Sequence, residues 1–172
     1  MKSYVNSFPH GVHPPDCKYT ADAVIETLPL PPEVTILLSQ HIGAPAKALV
    51  AKKSKVMRGE PIAEAVGFVS VPMHAPIAGT VTAVDYALNP RGEMAQAIKI
   101  KIDPDADQEE IYGTPRDLAS LTPDELIRAV QETGTVGLGG AAFPTHVKMK
   151  PPAGKSVDTL IVNGCECEPY LT

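Results

Sequence analysis

The sequence predicts a small all-β domain followed by the start of an α/β unit, and three observations support this. Between Glu33 and Asp103, short β-rich runs alternate with glycine and proline turn signals. A capped helix then begins near Thr122. The apolar run Val157 to Val162 has the composition of a buried strand, the first of a parallel sheet. The length of 172 residues fits one ordinary domain or two small ones.

The predicted β region contains several short runs that share a β-rich, mostly apolar composition. Two stretches, Thr80–Val84 and Ile98–Ile102, alternate as half-buried strands do. The expected strands are Val34–Leu38, Ala48–Val50, Val56, Pro61–Val66, Val69–Met73, Gly79–Val84 and Ala95–Ile102. Turn residues punctuate them at intervals of about 10 to 20 residues, which is typical of a small barrel or sandwich.

Composition divides the chain into four predicted parts. Prolines exclude regular structure from most of the N-terminal stretch, and Thr20–Thr27 has room for one helical turn or a short strand. Closely spaced acidic residues after Asp103 indicate a solvated connector, although a charge-specific docking role is the alternative. The parts are an irregular arm (1–27), the β domain (28–104), an acidic linker (105–121) and the start of an α/β domain (122–172).

The helix after the linker has clear signals at both ends. Thr122 suits the N-cap, Pro123 the first helical position, and Glu125 lies three residues after the cap, so the three form a capping box. Gly134 is placed to end the helix in a left-handed turn.

Charge and hydropathy exclude two broad classes. The formal net charge is −5, and no block of lysine and arginine could follow a phosphate backbone, so nucleic-acid binding is not expected. No apolar run approaches the roughly 18 to 20 residues that span a bilayer. Cys17, Cys165 and Cys167 are too few for a disulfide framework, which indicates a reducing, cytoplasmic setting.

A glycine-rich loop follows the helix and is the first candidate binding element. Gly137-x-Gly139-x-x-Ala142 formally fits the dinucleotide fingerprint, but it follows a helix where that motif follows a strand. Glycines still let a phosphate or a flat ring approach the main chain closely. Lys148, eight residues past Gly140, is within reach of an anion there. The alternatives are a structural turn and a solvated surface lysine.

Polar residues follow the apolar run at the edge where α/β sheets bind ligands. Asn163 could hydrogen-bond a ring edge, and Glu166 and Glu168 could hold ribose hydroxyls. His41 and His74 lack a partner at metal-ligand spacing and are interpreted as packed or surface histidines.

The β domain resembles the biotinyl and lipoyl carrier domains, which have a barrel-sandwich hybrid fold. The resemblance lies in His74-Ala-Pro-Ile-Ala-Gly-Thr-Val81 and in the Gly59-Glu-Pro-Ile62 turn before it. A carrier needs an exposed lysine at a hairpin tip about seven residues earlier, and Gly67–Ser70 contains none. The match therefore indicates fold, and a carrier activity, which a mass shift would reveal, is the weakest alternative.

Two C-terminal motifs together resemble the C subunit of Rnf-type membrane electron-transport complexes. They are GLGGAAFPTHVK, beginning at Gly137, and LIVNGCECEPYLT, ending at Thr172. They are more distantly similar to the flavin-binding, NADH-oxidising subunit of respiratory complex I. Ser39–Ala46 (SQHIGAPA) and Phe8–Lys18 (FPHGVHPPDCK) match the N-terminal region of the same family.

This resemblance implies FMN and NAD(H) as cofactors of the parent protein. It also implies a ubiquitin-like insert and a ferredoxin module with [4Fe–4S] clusters beyond this chain. The glycines and the lysine would hold FMN, the asparagine would contact the isoalloxazine, and the glutamates would lie near flavin and nicotinamide nucleotide. These residues are Gly137, Gly139, Gly140, Lys148, Asn163, Glu166 and Glu168.

The implied function is electron transfer between NAD(H) and ferredoxin in an ion-pumping complex. The protein would be held at the cytoplasmic face of the membrane by partner subunits. Tight FMN binding by this chain alone is not expected, since most of the flavin domain is missing. The alternative is a non-catalytic docking module for partner subunits.

The chain departs from the family pattern in two scaffold turns. His10 stands where a glycine is more common, and Lys53-Ser54 replaces a common Gly-Asp turn. Both departures put local turn geometry in doubt and leave the predicted cofactor residues untouched.

Overall fold

A computed structural model describes residue 15 and residues 17–111, 113–138 and 141–162. Its elements are β1 (Glu33–Leu37), β2 (Lys47–Ala48), β3 (Lys55–Val56), β4 (Pro61–Glu64), β5 (Met73–His74), β6 (Gly79–Leu88), β7 (Met94–Ile102), a 3-10 helix (Leu118–Ser120), α1 (Pro123–Glu132) and α2 (Thr145–Met149). The chain divides into two compact units, Pro29–Ser156 and Met1–Leu28 with Val157–Thr172. All of the named elements belong to Pro29–Ser156. The three predicted boundaries between the four parts of the chain remain predictions.

The predicted all-β domain is confirmed. Four strands form one antiparallel sheet in the order β1-β7-β6-β3, and three form a second sheet in the order β2-β4-β5. Both sheets contribute to one apolar core, whose fully buried members include Ile62 from β4 and Ile98 and Ile100 from β7. Burying side chains of this size is the main favourable term in the stability of such a domain.

The alternation predicted for two strands is confirmed in one and interrupted in the other. In β7, Ile98 and Ile100 point into the core, as the period of two requires. In β6, a bulge between Val81 and Ala83 shifts the register against β7. The extra residue places Val84, opposite Ile98, on the same face as Val81, whereas unbroken alternation would put these two valines on opposite faces. Val81 is buried, and Val84 is 40% exposed.

The strand predicted at Val69–Met73 is wrong except at its last residue. Residues 67–72 form a bent loop between β4 and β5, and its main-chain groups bond to other loops in place of a strand ladder. Ala44 N donates to Val69 O at 3.0 Å, and Ser70 Oγ donates to Ala44 O at 2.8 Å. A run of β-forming residues does not become a strand when its polar groups are satisfied in this way.

The chain forms a tight turn at Lys53-Ser54, although it lacks the glycine that is common in this turn. Lys53 has a φ of 79°, which is the left-handed region that favours glycine. Its amide donates to Val81 O at 2.7 Å, and Val81 N donates to Ser54 O at 2.8 Å. These bonds hold the turn against a strain of about 1–2 kcal/mol.

The acidic segment after β7 is fixed to the β domain by Gln108. Its Oε1 accepts from Ala78 N at 2.8 Å, and its Nε2 donates to Ala78 O and Asp103 O, both at 3.0 Å. Ile111 N also donates to Arg58 O at 2.9 Å. The acidic side chains are exposed, as expected, but the main chain that carries them is anchored.

The predicted helix signals are confirmed at both ends of α1. Thr122 and Glu125 form the capping box, with Thr122 N donating to Glu125 Oε2 at 2.8 Å. Hydrogen bonds from the Thr122 side chain, and then from its backbone, hold the pKa of Glu125 below its usual value. Gly134 follows with a φ of 74°, the left-handed turn expected there.

The buried strand predicted at Val157–Val162 is wrong. These residues, in the unit formed with Met1–Leu28, have no regular structure. The side chains of Leu160, Ile161 and Val162 are 85%, 86% and 80% exposed. An apolar run becomes a buried strand only when neighbouring strands pair with it, and none in the described part of the chain does so.

Among residues 15, 17–111, 113–138 and 141–162, no helix has the length and apolar character required to cross a membrane.

Candidate functional site

The glycine loop is closed at its base by main-chain contacts between its two ends. Val136 and Pro144 form an isolated antiparallel bridge, and Gly137 N donates to Phe143 O at 3.0 Å. Thr145 N donates to Thr135 O at 3.1 Å, which joins the start of α2 to the residues before the loop. The loop therefore leaves α1 and enters α2 through a narrow neck.

Lys148 lies directly against Gly137. A Cβ added at Gly137 would come within 2.7 Å of Lys148 Nζ, so the ammonium at the end of this flexible side chain would have to shift. This exposed lysine lies on α2, three residues after Thr145. The structure thus brings together two of the predicted site residues.

The amide of Gly137 is already used within the loop. Its N–H donates to Phe143 O and is not presented to a ligand. What Gly137 offers is close approach, because it has no side chain between the loop and the Lys148 ammonium. An ammonium beside a glycine is a chemical environment that fits a phosphate group.

Ala142 adds strain to the same loop. Its φ of 50° is in the left-handed region, which an L-residue with a Cβ occupies at a cost of about 1–2 kcal/mol. Non-glycine residues in this region concentrate at ligand-binding segments.

The other predicted site residues lie outside the residues that the structure describes. These are Gly139, Gly140, Asn163, Glu166 and Glu168. Their assignment to the cofactor stays a prediction. Among the residues that are described, no group of three or more histidine, cysteine, aspartate or glutamate side chains could hold a metal ion.

Residues 122–150, which we call the helix–loop–helix segment, are held on the β domain by polar contacts. All of these reach the loop of residues 65–72 between β4 and β5, which we call the tip loop. Gln131 Nε2 donates to Ser70 O at 2.9 Å and to Gly67 O at 3.1 Å. His146 Nε2 bonds to Phe68 O at 2.6 Å.

Ring contacts reinforce the same junction. The rings of Phe68 and His146 meet edge to face with centroids 5.1 Å apart. Lys150 Nζ lies 5.3 Å from the centre of the Phe68 ring, and it also pairs with Asp124 at 3.4 Å. A cation over an aromatic face contributes about 0.5–1 kcal/mol at an exposed position.

His146 is fully buried, and only one of its two ring nitrogens has a hydrogen-bond partner among the described residues. Because a carbonyl only accepts, the proton of the ring is on Nε2, which donates to Phe68 O. Nδ1 is buried without a hydrogen-bond partner among the described residues. Such an orphaned acceptor costs about 1–3 kcal/mol.

His41, the other buried histidine, is satisfied on both ring nitrogens. Nδ1 bonds to Ile42 O at 3.0 Å, and Nε2 accepts from Val71 N at 3.3 Å. It is therefore packed within the β domain, as the sequence predicts.

A cleft of about 490 Å³ lies between α1 and the β4–β5 sheet, with His74 and Arg128 among its lining residues. At its end, a Cβ added to Gly134 would come within 2.9 Å of Pro72 O and 3.5 Å of His74 Nδ1. Burial lowers the pKa of His74, and the nearby charge of Glu110 partly offsets this. Burial of His74 thus favours its neutral form.

Two family matches cover most of the chain and agree with its architecture. Residues 6–105 match the family described as the RnfC barrel sandwich hybrid domain. The chain belongs to the RnfC family. Residues 130–172 match the Nuo51 FMN-binding domain, which includes the glycine loop and Lys148. The barrel-sandwich hybrid fold and the Rnf-type resemblance predicted from the sequence are both confirmed.

Several curated relatives resemble this RnfC-family chain. The C subunit of a proton-translocating ferredoxin:NAD(+) oxidoreductase complex from Clostridium ljungdahlii is 43% identical over 98% of the chain. The corresponding protein of a Na(+)-translocating ferredoxin:NAD(+) oxidoreductase complex from Acetobacterium woodii is 40% identical over 96% of it. That of an ion-translocating oxidoreductase complex from Rhodobacter capsulatus is 40% identical over 94%. The chain spans 37%, 38% and 32% of the lengths of these three proteins.

Sequence reasoning missed Gln131 and His146 in this RnfC-family chain. His146 is part of the GLGGAAFPTHVK motif, but its partner lies 78 residues earlier, and Gln131 bonds to carbonyls 61 and 64 residues earlier. Both bond to main-chain oxygens, which any residue supplies, so the tip loop carries no sequence signal for them.

Proposed function

We propose that this chain is the N-terminal part of a flavoprotein subunit that moves electrons between NAD(H) and ferredoxin. The observation that carries the proposal is the placement of Lys148 against Gly137 in a segment that matches an FMN-binding domain. The names of the relatives from Clostridium ljungdahlii and Acetobacterium woodii support the reaction.

In this proposal the helix–loop–helix segment holds the phosphate end of FMN. Lys148 supplies a positive charge, and Gly137 supplies the space for close approach. Gly139 and Gly140 would contribute loop surface, and glycine main chain can present N–H groups to phosphate oxygens. Asn163 would orient the isoalloxazine ring, and Glu166 and Glu168 would lie near flavin and nicotinamide nucleotide.

When bound, FMN supplies hydride exchange with NAD(H) and single-electron exchange with iron–sulfur clusters. The [4Fe–4S] clusters would belong to the part of the protein beyond this chain. The residues present here bind and orient the cofactor, and the barrel-sandwich hybrid domain supports the segment that does so.

The proposed setting is the cytoplasmic face of the cell membrane. The protein would be held there by other subunits of an ion-pumping complex and would exchange electrons with ferredoxin. The relatives' names specify protons in one case and Na(+) in another, so they do not fix the ion for this chain.

An FMN titration followed by flavin fluorescence quenching tests the proposal. It compares this chain with a form extended through the remaining flavin domain. We expect only the extended form to bind tightly. Lys148→Ala in that form should weaken FMN binding by about tenfold or more, since one charge-assisted contact is lost. Lys52→Ala, which removes an equal charge from a β-domain turn, is the matched control.

Failure of the extended form to bind FMN would refute the proposal. The glycine loop would then be a structural turn, and the docking module for partner subunits would become the better interpretation. Equal losses from Lys148→Ala and Lys52→Ala would instead assign the effect to net charge and remove Lys148 from the site.

A further inference from the structure

We propose that His146 is a positioning residue, which locks α2 and its Lys148 onto the main chain of the tip loop. The proposal rests on the proposed FMN site and adds a residue that the sequence motifs did not single out. Gln131 supports it from α1. Together the two side chains set where the glycine loop lies relative to the barrel-sandwich hybrid domain.

The position of His146 in the chain is the first argument. It lies two residues before Lys148 on α2, a helix of only five residues, Thr145–Met149. So short a helix is not stable by itself and takes its position from what it packs against. The fully buried side chain on it is His146, so this residue decides where Lys148 is held.

The chemistry of the contact is the second argument. His146 Nε2 bonds to Phe68 O at 2.6 Å in a buried setting, where such a bond is stronger than at the surface. The ring retains a buried, unpartnered Nδ1 among the described residues. His41, the other buried histidine, bonds through both ring nitrogens. The His146 ring is held through Nε2, so its hydrogen bonding to the rest of the described chain is concentrated in the contact with Phe68 O.

The identity of the tip loop is the third argument. In carrier domains with this fold, the corresponding hairpin tip presents the modified lysine. Here the carbonyls of Gly67, Phe68 and Ser70 all accept hydrogen bonds from the helix–loop–helix segment. Residues 67–69 bend in a way that turns these oxygens toward Gln131 and His146. The tip has become a docking surface for the segment that carries the glycine loop.

Two substitutions separate the hydrogen bond from the volume of the ring. His146→Gln keeps a donor at the end of the side chain, whereas His146→Phe keeps the ring and removes the donor. Ile98→Val is the control for stability, because it weakens the core of the β domain at a buried position of β7 that pairs with β1 and β6.

The first measurement uses this chain and needs no cofactor. Hydrogen–deuterium exchange is followed at residues 67–71 and 145–149, with the β7 amides as an internal check that the β domain is folded. His146→Phe should speed exchange at both sites by about tenfold or more, while His146→Gln stays within about threefold of the unchanged chain. Unchanged exchange in His146→Phe would overturn the docking role.

The second measurement is FMN affinity in the form extended through the flavin domain. His146→Phe should weaken binding by about tenfold, His146→Gln should restore it to within about threefold, and Ile98→Val should leave it unchanged. FMN affinity equal to that of the unchanged protein in His146→Phe would overturn the positioning role. If the unchanged extended protein does not bind FMN, the proposed function fails, and the exchange measurement alone decides whether His146 docks α2.

Discussion

The β domain and the helix–loop–helix segment are stabilised in different ways, although they lie in one compact unit. Fully buried side chains such as Ile62, Ile98 and Ile100 form the core of the β domain. Helix α1 contains no fully buried residue, and α2 contains one, His146. The β domain therefore holds itself together by apolar burial, whereas the segment depends on polar contacts with the tip loop.

This difference assigns the two regions different roles. A close-packed apolar core is sensitive to changes in side-chain volume, but its packing stabilises the fold of the whole β domain. A segment held on the β domain by a few hydrogen bonds and ring contacts is expected to open at a much lower free energy than the core does. In the proposed flavoprotein, the stable domain serves as the support, and the less stable segment carries the groups that meet the cofactor.

Removing core volume should produce the largest effect. Ile98→Ala is expected to lower the free energy of unfolding by about 2–5 kcal/mol, because it leaves a cavity in a fully buried site. Leu88→Ala on β6 removes a side chain that is 67% exposed and should change it by less than about 0.5 kcal/mol. Urea unfolding followed by circular dichroism measures both, and equal losses would contradict the comparison.

The next largest effect is expected where α1 ends against the β domain. Gly134→Ala should cost roughly 2–4 kcal/mol, since a left-handed residue gains a Cβ that also presses on Pro72 O. Gly154 has the same φ of 74°, but nothing lies within 4 Å of the added Cβ. Gly154→Ala therefore measures only the cost of the left-handed backbone, about 1–2 kcal/mol. Thermal unfolding of the two variants should separate them, and identical shifts would show that Gly134 does not need its close approach.

Loss of the cap of α1 should have a smaller effect, confined to the segment. Thr122→Ala removes the side chain that accepts from Glu125 N and is expected to cost about 1 kcal/mol of helix stability. Thr122→Ser keeps the hydroxyl and should behave like the unchanged chain. Hydrogen exchange at residues 123–132 reports the change, and β7 amides should not respond. A response in β7 would show that the two regions unfold together.

The smallest effect concerns pH. The pKa of His74 lies below its ordinary value of 6.5, chiefly through burial, so the unfolded chain binds a proton first as the pH falls. The stability that neutral, buried His74 contributes to the folded state is therefore fully present above about pH 6.5. It is lost as the pH falls toward the lowered pKa of His74. His74→Gln should lose less stability than the unchanged chain between about pH 7.5 and pH 5.5.

Denaturant midpoints across that range test the pH prediction. Glu110→Gln is the opposite control, because it removes the charge that raises the pKa of His74 and should make the loss steeper. Arg128 and Glu132 also line the cleft beside His74, and neither variant changes them. Parallel curves for the unchanged chain and His74→Gln would refute the role of this histidine.

Local sequence signals predicted the parts of this fold that depend on neighbouring residues. The alternation of β7 and the capping box of Thr122 each depend on residues that are only a few positions apart, so both could be predicted from the sequence. The bulge after Val81 and the bent tip loop depend on contacts with distant main chain. The strand predicted at Val157–Val162 failed because composition records a preference for burial and cannot supply the neighbouring strands.

In the candidate site, too, some residues were identified from the sequence and others were not. Its glycines and Lys148 are proposed from the sequence because the chemistry of anion binding demands particular residue types, and their assignment to the cofactor stays a prediction. His146 and Gln131 could not be identified in this way, because their partners are carbonyl oxygens that every residue carries. The bonded amide of Gly137 is likewise a matter of geometry that composition does not record.

The direction of the contacts at the tip loop has a consequence for synthesis on the ribosome. Gln131 and His146 both reach back to residues made earlier, by 61 and 78 positions. At translation rates of about 5–20 residues per second, His146 emerges about 2 to 9 seconds after Ile102, the last residue of β7. The β domain has time to fold first, since small all-β domains fold in about milliseconds to seconds. We expect each newly made glycine loop to meet a finished template, so that the order of translation also sets the order of assembly.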